Sequence, residues 1–332
     1  MPEQTPIAPE DLEHLLYEVF ARLNWKADAK RLASRLARLH IGLPREDEFA
    51  VVCAWLGRCS LVHKLDQRQA PSRSHEDFQV PDLLAIFRSG ERSTPVLVEV
   101  KSCTKRVLSF RPDYFARLKQ YCEAVRLPIL VAWKHHGLWT LFDINHMSLA
   151  KTNYNITFGK AMGESLLGVL AGDFSYTVAK GAGVYISMRK EELLSESVDG
   201  VGTEQQWKMI IDDVFHTDGT GRQRRDLGAG VQSLLFAHHL EQSEEHTATH
   251  VHQRFTVGED GNKFAHMALV GLLNWQTPIG AQLNWRSVVA KRKPLAGIDD
   301  FTNAVKESLR EKVVTHIFHI QPRTMPSFLN AT

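Results

Sequence analysis

Asp82, Glu99 and Lys101 can do chemistry together: two carboxylates hold a hard divalent cation through oxygen, and a lysine places a water or offsets developing negative charge. Pro81-Asp82 precedes Glu99-Val100-Lys101 by seventeen residues. The chain between reads as two apolar strands, Asp82 to Phe87 and Val96 to Ser102, joined across the polar cluster Ser89 to Ser93. A turn centred on Gly90 and Glu91 sets Asp82 opposite Glu99 and Leu84 opposite Leu97. Directly opposed residues have Cβ atoms about 4.5–5.5 Å apart, within reach of one cation. Alternation then predicts Glu99, Lys101 and Cys103 on one face, with Val98, Val100 and Ser102 on the other.

The elements that must position these residues follow from the flanking pattern. Glu46, Asp47 and Glu48 lead into EFAVVCAWLG, a predicted helix with acids favourably placed in its first turn and Gly57 near its end. Leu61 to Leu65 reads as a first strand, followed by a polar loop from Asp66 to Asp77. After the hairpin, Phe115, Leu118, Tyr121, Cys122 and Val125 give helical spacing over Pro112 to Val125, which Leu127-Pro128 ends. Ile129 to Trp133 is a continuous apolar run suited to a buried strand. The order is helix, strand, strand, strand, helix, strand, an α/β pattern.

Directly after the carboxylate cluster the chain turns basic. Lys101 to Lys134 encloses Lys105, Arg106, Arg111, Arg117, Lys119 and Arg126 against only Asp113 and Glu123, a balance that favours a polyanionic substrate. The chain as a whole is mild by comparison, with a formal charge of +2 over 332 residues. Its 43% hydrophobic and 23% charged content is that of an ordinary globular protein, long enough for two domains. No apolar run approaches a membrane span, no charged-then-apolar leader opens the chain, and Cys53, Cys59, Cys103 and Cys122 lack metal-ligand spacing. The expectation is a cytoplasmic protein with reduced thiols and no membrane partner.

Three segments are expected: an N-terminal helical segment over 1–43, with two short helices between residues 8 and 40; an α/β domain over 44–149; and a C-terminal α+β domain over 150–332. In the last, Gly183 to Met188 reads as a strand and Ser195 to Gln205 as a polar break. Helices are predicted at Gln206 to Phe215, Val231 to Leu240, Phe264 to Trp275 and Phe301 to His316. No repeat or heptad pattern is present.

Pro81-Asp82 and Glu99-Val100-Lys101, in that element order, resemble the PD-(D/E)xK nuclease superfamily, which includes many restriction enzymes and Holliday junction resolvases. The stretch LKQYCEAVRLPILVAWK is similar to the helix and following strand of the archaeal resolvase branch, with Gln120 in the place of that branch's helical glutamine. The resemblance covers about residues 44 to 136. It implies a restriction-endonuclease-like αβββαβ core, a mixed sheet flanked by helices. It also implies a Mg²⁺-dependent endonuclease, with Mn²⁺ able to substitute, acting on DNA ahead of RNA in restriction, repair, recombination or defence against mobile DNA.

On that resemblance Asp82 and Glu99 would hold the ion with the backbone carbonyl of Val100, and Lys101 would position the attacking water. The upstream acid would be Glu48, with Glu46 as the other candidate. Gln120 would orient a carboxylate or touch the phosphate backbone. Lys105, Arg106, Arg111 and Lys119 are the candidate backbone contacts, giving affinity without sequence specificity. The C-terminal half would select substrate or a protein partner, and a homodimer would present two sites where both strands of a duplex are cut. The competing class is a non-catalytic binding module on the same scaffold, which has no need of a lysine beside two carboxylates.

Four further features carry no catalytic assignment. Cys103 is a small packing residue at the edge of the site and His63 a strand residue. His246, His250 and His252 would suit a metal only on a helix, whereas Thr247, Thr249, Val251 and Phe255 predict an extended segment. GTGRQRR, Gly219 to Arg225, lacks the lysine of a phosphate loop and reads as a basic loop.

Overall fold

The computed structural model describes residues 45–66, 69, 71, 73–198, 202–259, 261–275 and 301–330; the helices expected between residues 8 and 40 lie outside them. The described chain forms two compact units, one reaching Asp173 and resuming at Ile320, the other running from Phe174 to Leu272 with the segment ending at His319. The boundary expected at 149/150 lies inside the first unit.

The first unit is an α/β structure. Helix α1 covers residues 45–55, and Gly57 at φ +93° supplies the left-handed turn that ends it. Strand β1 is Cys59–Lys64, β2 Leu83–Ser89 and β3 Arg92–Ser102. A short strand β4, Val107–Phe110, precedes helix α2, Pro112–Val125; β5 is Ile129–His135 and β6 Leu138–Asp143. The main sheet has the order β1-β2-β3-β5-β6. A small second sheet joins β4 to β7, Ser148–Ala150, and β8, Asn153–Thr157.

The β2–β3 register is the one the turn predicts, with Leu84 opposite Leu97 and Ser89 opposite Arg92. Gly90 at φ +62° is the first of the two central residues, where a two-residue hairpin of the right twist needs positive φ. Strand β3 is central, and Val96 to Val100 are buried on both faces. It pairs in parallel with β5, placing Glu99 beside Val131 and Lys101 beside Trp133. A parallel pair needs a crossover, which α2 supplies. Pro112 opens that helix, and Arg126 closes it in the left-handed conformation at φ 56°, ahead of Pro128.

Strand alternation separates the two faces of the sheet. Leu97, Val131 and Trp133 pack with Leu118 and Cys122 of α2 and with Ile156 of the small sheet. Lys134 and Trp139, paired across β5 and β6, face the other way, where Phe49 of α1 meets Trp139 at 4.9 Å between ring centroids.

The second unit combines two sheets with helices. Its buried strand β9, Ser175–Val178, lies between β15, Gly261–Phe264, and β16, Val314–Phe318. The larger sheet has the order β12-β11-β10-β14-β13 and is built on the long hairpin β10, Gly183–Val198, and β11, Thr203–Thr217. Here β12 is Gln223–Arg224, β13 Glu241–His246 and β14 His250–Thr256. Beyond Arg189, where the pairing with β14 ends, the hairpin continues as a two-stranded ribbon with Leu193, Leu194, Val198 and Met209 exposed. Three register shifts bulge the hairpin, leaving Glu191 and Leu194 unopposed in the ribbon and Asp212 unopposed where β10 still pairs with β14.

Two expected helices change here. Gln206 to Phe215 is strand, because Trp207, Ile210, Ile211 and Val214 satisfy a helical spacing while their aromatic or β-branched side chains and the cross-strand partners Leu193, Arg189, Met188 and Ile186 favour extension. The helix from Phe301 stops at Arg310, and Val314, Thr315 and Ile317 enter β16. Helix Ala265–Trp275 matches expectation within one residue, and the helix expected at Val231 to Leu240 is Ala229–Leu235, ending five residues earlier. Among the described residues no helix is long and apolar enough to cross a membrane. All four cysteines are free thiols.

Candidate active site

The β2–β3 ladder ends at Leu83 opposite Val98, one residue short of Asp82. The Asp82 carboxylate takes over from the ladder: its Oδ2 accepts a 2.7 Å hydrogen bond from the Val100 N–H, and its carbonyl accepts one of 3.0 Å from the Leu65 N–H. Both ends of the residue are therefore fixed by neighbouring strands. Asp82 sits beside Glu99, close enough for its charge to act on the Glu99 carboxyl.

Glu99 is 1% exposed. Lys101 Nζ and Tyr114 Oη both donate to its Oε1 and stand 3.3 Å from each other, while Oε2 is buried with no hydrogen-bond partner. Burial pushes the Glu99 carboxyl up to about 7; Lys101 opposes the shift and Asp82 reinforces it. Burial pulls the Lys101 ammonium down, but Glu99, with Tyr114 and Asp82 behind it, outweighs that and holds it above its ordinary value. Burial and the Glu99 carboxylate push the Tyr114 phenol upward, so it remains a protonated donor.

This donor set fits a hard divalent cation. An orphaned buried carboxylate oxygen is costly unless something completes it, and a second carboxylate stands next to it. Among the described residues no three His, Cys, Asp or Glu side chains gather as a metal site. An ion here would take Asp82, Glu99, a backbone carbonyl such as that of Val100, and waters, the pattern expected of Mg²⁺.

The structure separates the two upstream acids. The Glu46 carboxyl is raised first by burial, lowered by its hydrogen bond to Lys64 and raised again by Asp82, so Glu46 lies within electrostatic reach of the site. Glu48, 1% exposed, is on the opposite face of the sheet. It accepts from Arg45 Nη1 at 2.8 Å, from Trp139 Nε1 at 3.1 Å and from Lys134. Its carboxylate is committed to holding α1 on β5 and β6.

A cleft of about 340 Å³ opens beside Lys101, lined also by Phe110, Arg111, Asp113, Tyr114 and Arg117. Arg111 is exposed at the start of α2. Arg117 Nη1 donates to the His75 carbonyl at 3.0 Å, and its Nη2 lies 3.6 Å from Asp113. Lys105 and Arg106 are exposed between β3 and β4. Lys119 donates to Asn145 Oδ1 at 2.9 Å. Gln120 is exposed on α2, six residues beyond Tyr114 and so about 120° round the helix from it.

Cys103 acts mainly through its backbone: its carbonyl accepts from Trp133 Nε1 and lies 3.1 Å from His135 Nδ1. His63 is exposed on β1. His246 and His250 fall on β13 and β14, extended as expected, with His250 Nε2 3.0 Å from Asp212 Oδ2. In the basic loop, Arg224 is taken up by Asp226 and Glu311.

Tyr114 and Lys64 are site residues that the sequence reading misses. Tyr114 precedes Leu118 by four positions, so helical periodicity places it on the buried face of α2. Lys64 carries no such signal.

No family model matches the chain, and no curated protein matches it. Among solved structures it is similar to Hjc, a Holliday junction resolvase from Archaeoglobus fulgidus, at 19% identity over 30% of this chain and 74% of that one, with a TM-score of 0.24. The functional reading therefore rests on the site itself.

Proposed function

We propose that this chain is a metal-dependent nuclease that hydrolyses phosphodiester bonds in DNA ahead of RNA, on a restriction-endonuclease-like core within its first unit. The observation that carries the reading is the orphaned Oε2 of Glu99, buried beside Asp82 and a lysine whose charge the same carboxylates sustain. A structural ion pair would satisfy both carboxylate oxygens, and this one leaves an oxygen for a ligand.

Asp82 and Glu99 would hold Mg²⁺ or Mn²⁺ with the Val100 carbonyl. Bound there, the ion would neutralise the scissile phosphate and make a water nucleophilic at neutral pH. Lys101 would place that water and offset the charge that grows on the phosphate in the transition state. Glu46 would act from the Asp82 side through water. Arg111 and Arg117, lining the cleft next to Lys101, would take flanking phosphates, and Lys105 and Arg106 would add contacts without sequence preference. Gln120, on the outer face of α2, is better placed for a phosphate than for the carboxylates. The second unit would select substrate or partner.

The test is incubation of the full chain with supercoiled, linear, single-stranded and branched DNA and with RNA, in Mg²⁺, Mn²⁺ or EDTA. Cleavage of DNA with either ion and none in EDTA is expected, with a loss on the order of 10²–10³-fold for Lys101→Ala. Asp82→Asn should lose cleavage and keep part of its DNA affinity. DNA binding without metal-dependent cleavage of any substrate would transfer the chain to the class of non-catalytic binding modules.

A further inference from the structure

We infer that Tyr114 is the positioning residue that aims the free oxygen of Glu99 at the cation, an inference that rests on the nuclease reading above. A carboxylate has two equivalent oxygens, and it presents one of them to an ion reliably only if something pins the other. In Glu99 the pinned oxygen is Oε1, held by Lys101 and Tyr114 together, and Oε2 is the one left over.

The two donors are not equally suited to that task. Lys101 is on the same strand as Glu99, and its side chain is 32% exposed at the mouth of the cleft. Its proposed chemistry requires the ammonium to turn toward water and phosphate. Tyr114 reaches Glu99 from a different element. Its ring meets Phe110, which is 3% exposed, edge-on at 5.4 Å and 85°, and its helix is anchored by buried Leu118 and Cys122. The Oη therefore has a position set by α2 packing rather than by β3. When Lys101 engages substrate, Tyr114 is the donor that keeps Oε1 occupied. Donors that orient a metal-binding carboxylate in this way commonly govern affinity by about 10–100-fold.

The experiment is calorimetric titration of the full chain with Mn²⁺, without nucleic acid, comparing wild type, Tyr114→Phe and Tyr121→Phe on the same helix. Tyr114→Phe removes one oxygen and keeps the ring against Phe110. Its Mn²⁺ affinity is expected to fall by about 10–100-fold, while Tyr121→Phe binds as wild type and near-ultraviolet circular dichroism is unchanged in both. Wild-type affinity in Tyr114→Phe would overturn the inference and leave the nuclease reading standing. A Tyr114→Phe chain that fails to fold would overturn it too, since a positioning residue is dispensable for folding. A wild-type chain that binds no Mn²⁺ would instead overturn the nuclease reading on which the inference depends.

Discussion

Two sets of buried titratable groups, one in each unit, are handled in opposite ways. In the first, Glu48 and Glu99 are each 1% exposed and each is joined to a lysine, Lys134 and Lys101. In the second, Tyr176 and His238 meet with the His238 Nε2 3.3 Å from the Tyr176 Oη, and burial pushes the phenol up and the imidazole down to about 4. The Glu48 and Glu99 clusters pair their carboxylates with lysines, whereas the Tyr176–His238 pair is kept neutral. Charged burial is the costlier arrangement, and replacing a buried ion pair with apolar residues is often neutral or stabilising. A chain that retains two such pairs on opposite faces of one sheet has a use for at least one. The Glu48 cluster is fully engaged and reads as structural, whereas Glu99 keeps an oxygen in reserve.

That contrast can be broken first at Glu48. Glu48→Ala leaves Lys134, whose ammonium burial already pulls below its ordinary value, without its carboxylate. The expected cost is about 3–5 kcal/mol in urea unfolding at pH 7. A cost under about 1 kcal/mol, the range of an exposed pair, would remove the distinction between this cluster and a surface ion pair.

The second unit gives a smaller effect of defined sign. The His238 imidazole is held down first by burial, with the Lys263 charge adding to it. The unfolded chain therefore takes up the proton first as pH falls. Stability is fully present above an unfolded pKa of about 6.5 and is lost as pH falls toward about 4, by about 2.5 kcal/mol at pH 4.5. His238→Gln should flatten that part of the pH profile, and an unaltered profile would show the imidazole to be charged in the native state.

The smallest effect is expected at the β10–β11 ribbon. Replacing residues 191–208 with Asn-Gly, so that Lys190 leads into Met209, removes side chains that are mostly exposed. It should change unfolding by less than about 0.5 kcal/mol. A loss of several kcal/mol would mean that the ribbon packs as core and that the exposed side chains of this unit are not surplus to its stability.

The hairpin that carries Asp82 and Glu99 is legible in the sequence because Gly90-Glu91 fixes the turn and a fixed turn fixes every pair in the ladder. The burial of Ile129 to Trp133 is legible for the same local reason, as is the end of α2 at Leu127-Pro128. What escapes is whatever depends on which face an element covers. Glu46 and Glu48 look interchangeable two positions apart, yet on a helix two positions are about 200°, enough to send one toward Asp82 and the other to Lys134. Tyr114 escapes because its role is set by the distance between α2 and β3. Trp207 to Val214 misleads because its spacing fits a helix face and a strand equally, and only the partner strand decides.

The two bulges of the ribbon, at Glu191 and Leu194, bear on how the chain behaves in concentrated solution. A ribbon with two open edges and exposed Leu194, Val198 and Met209 is the kind of surface on which identical molecules stack strand to strand. Each bulge breaks the regular alternation of donors and acceptors along an edge and adds local twist. A second ribbon could align with only a few residues before losing register. The irregularity of this hairpin therefore guards against fibril growth, and it lets the molecule carry apolar side chains into water without offering a flat template.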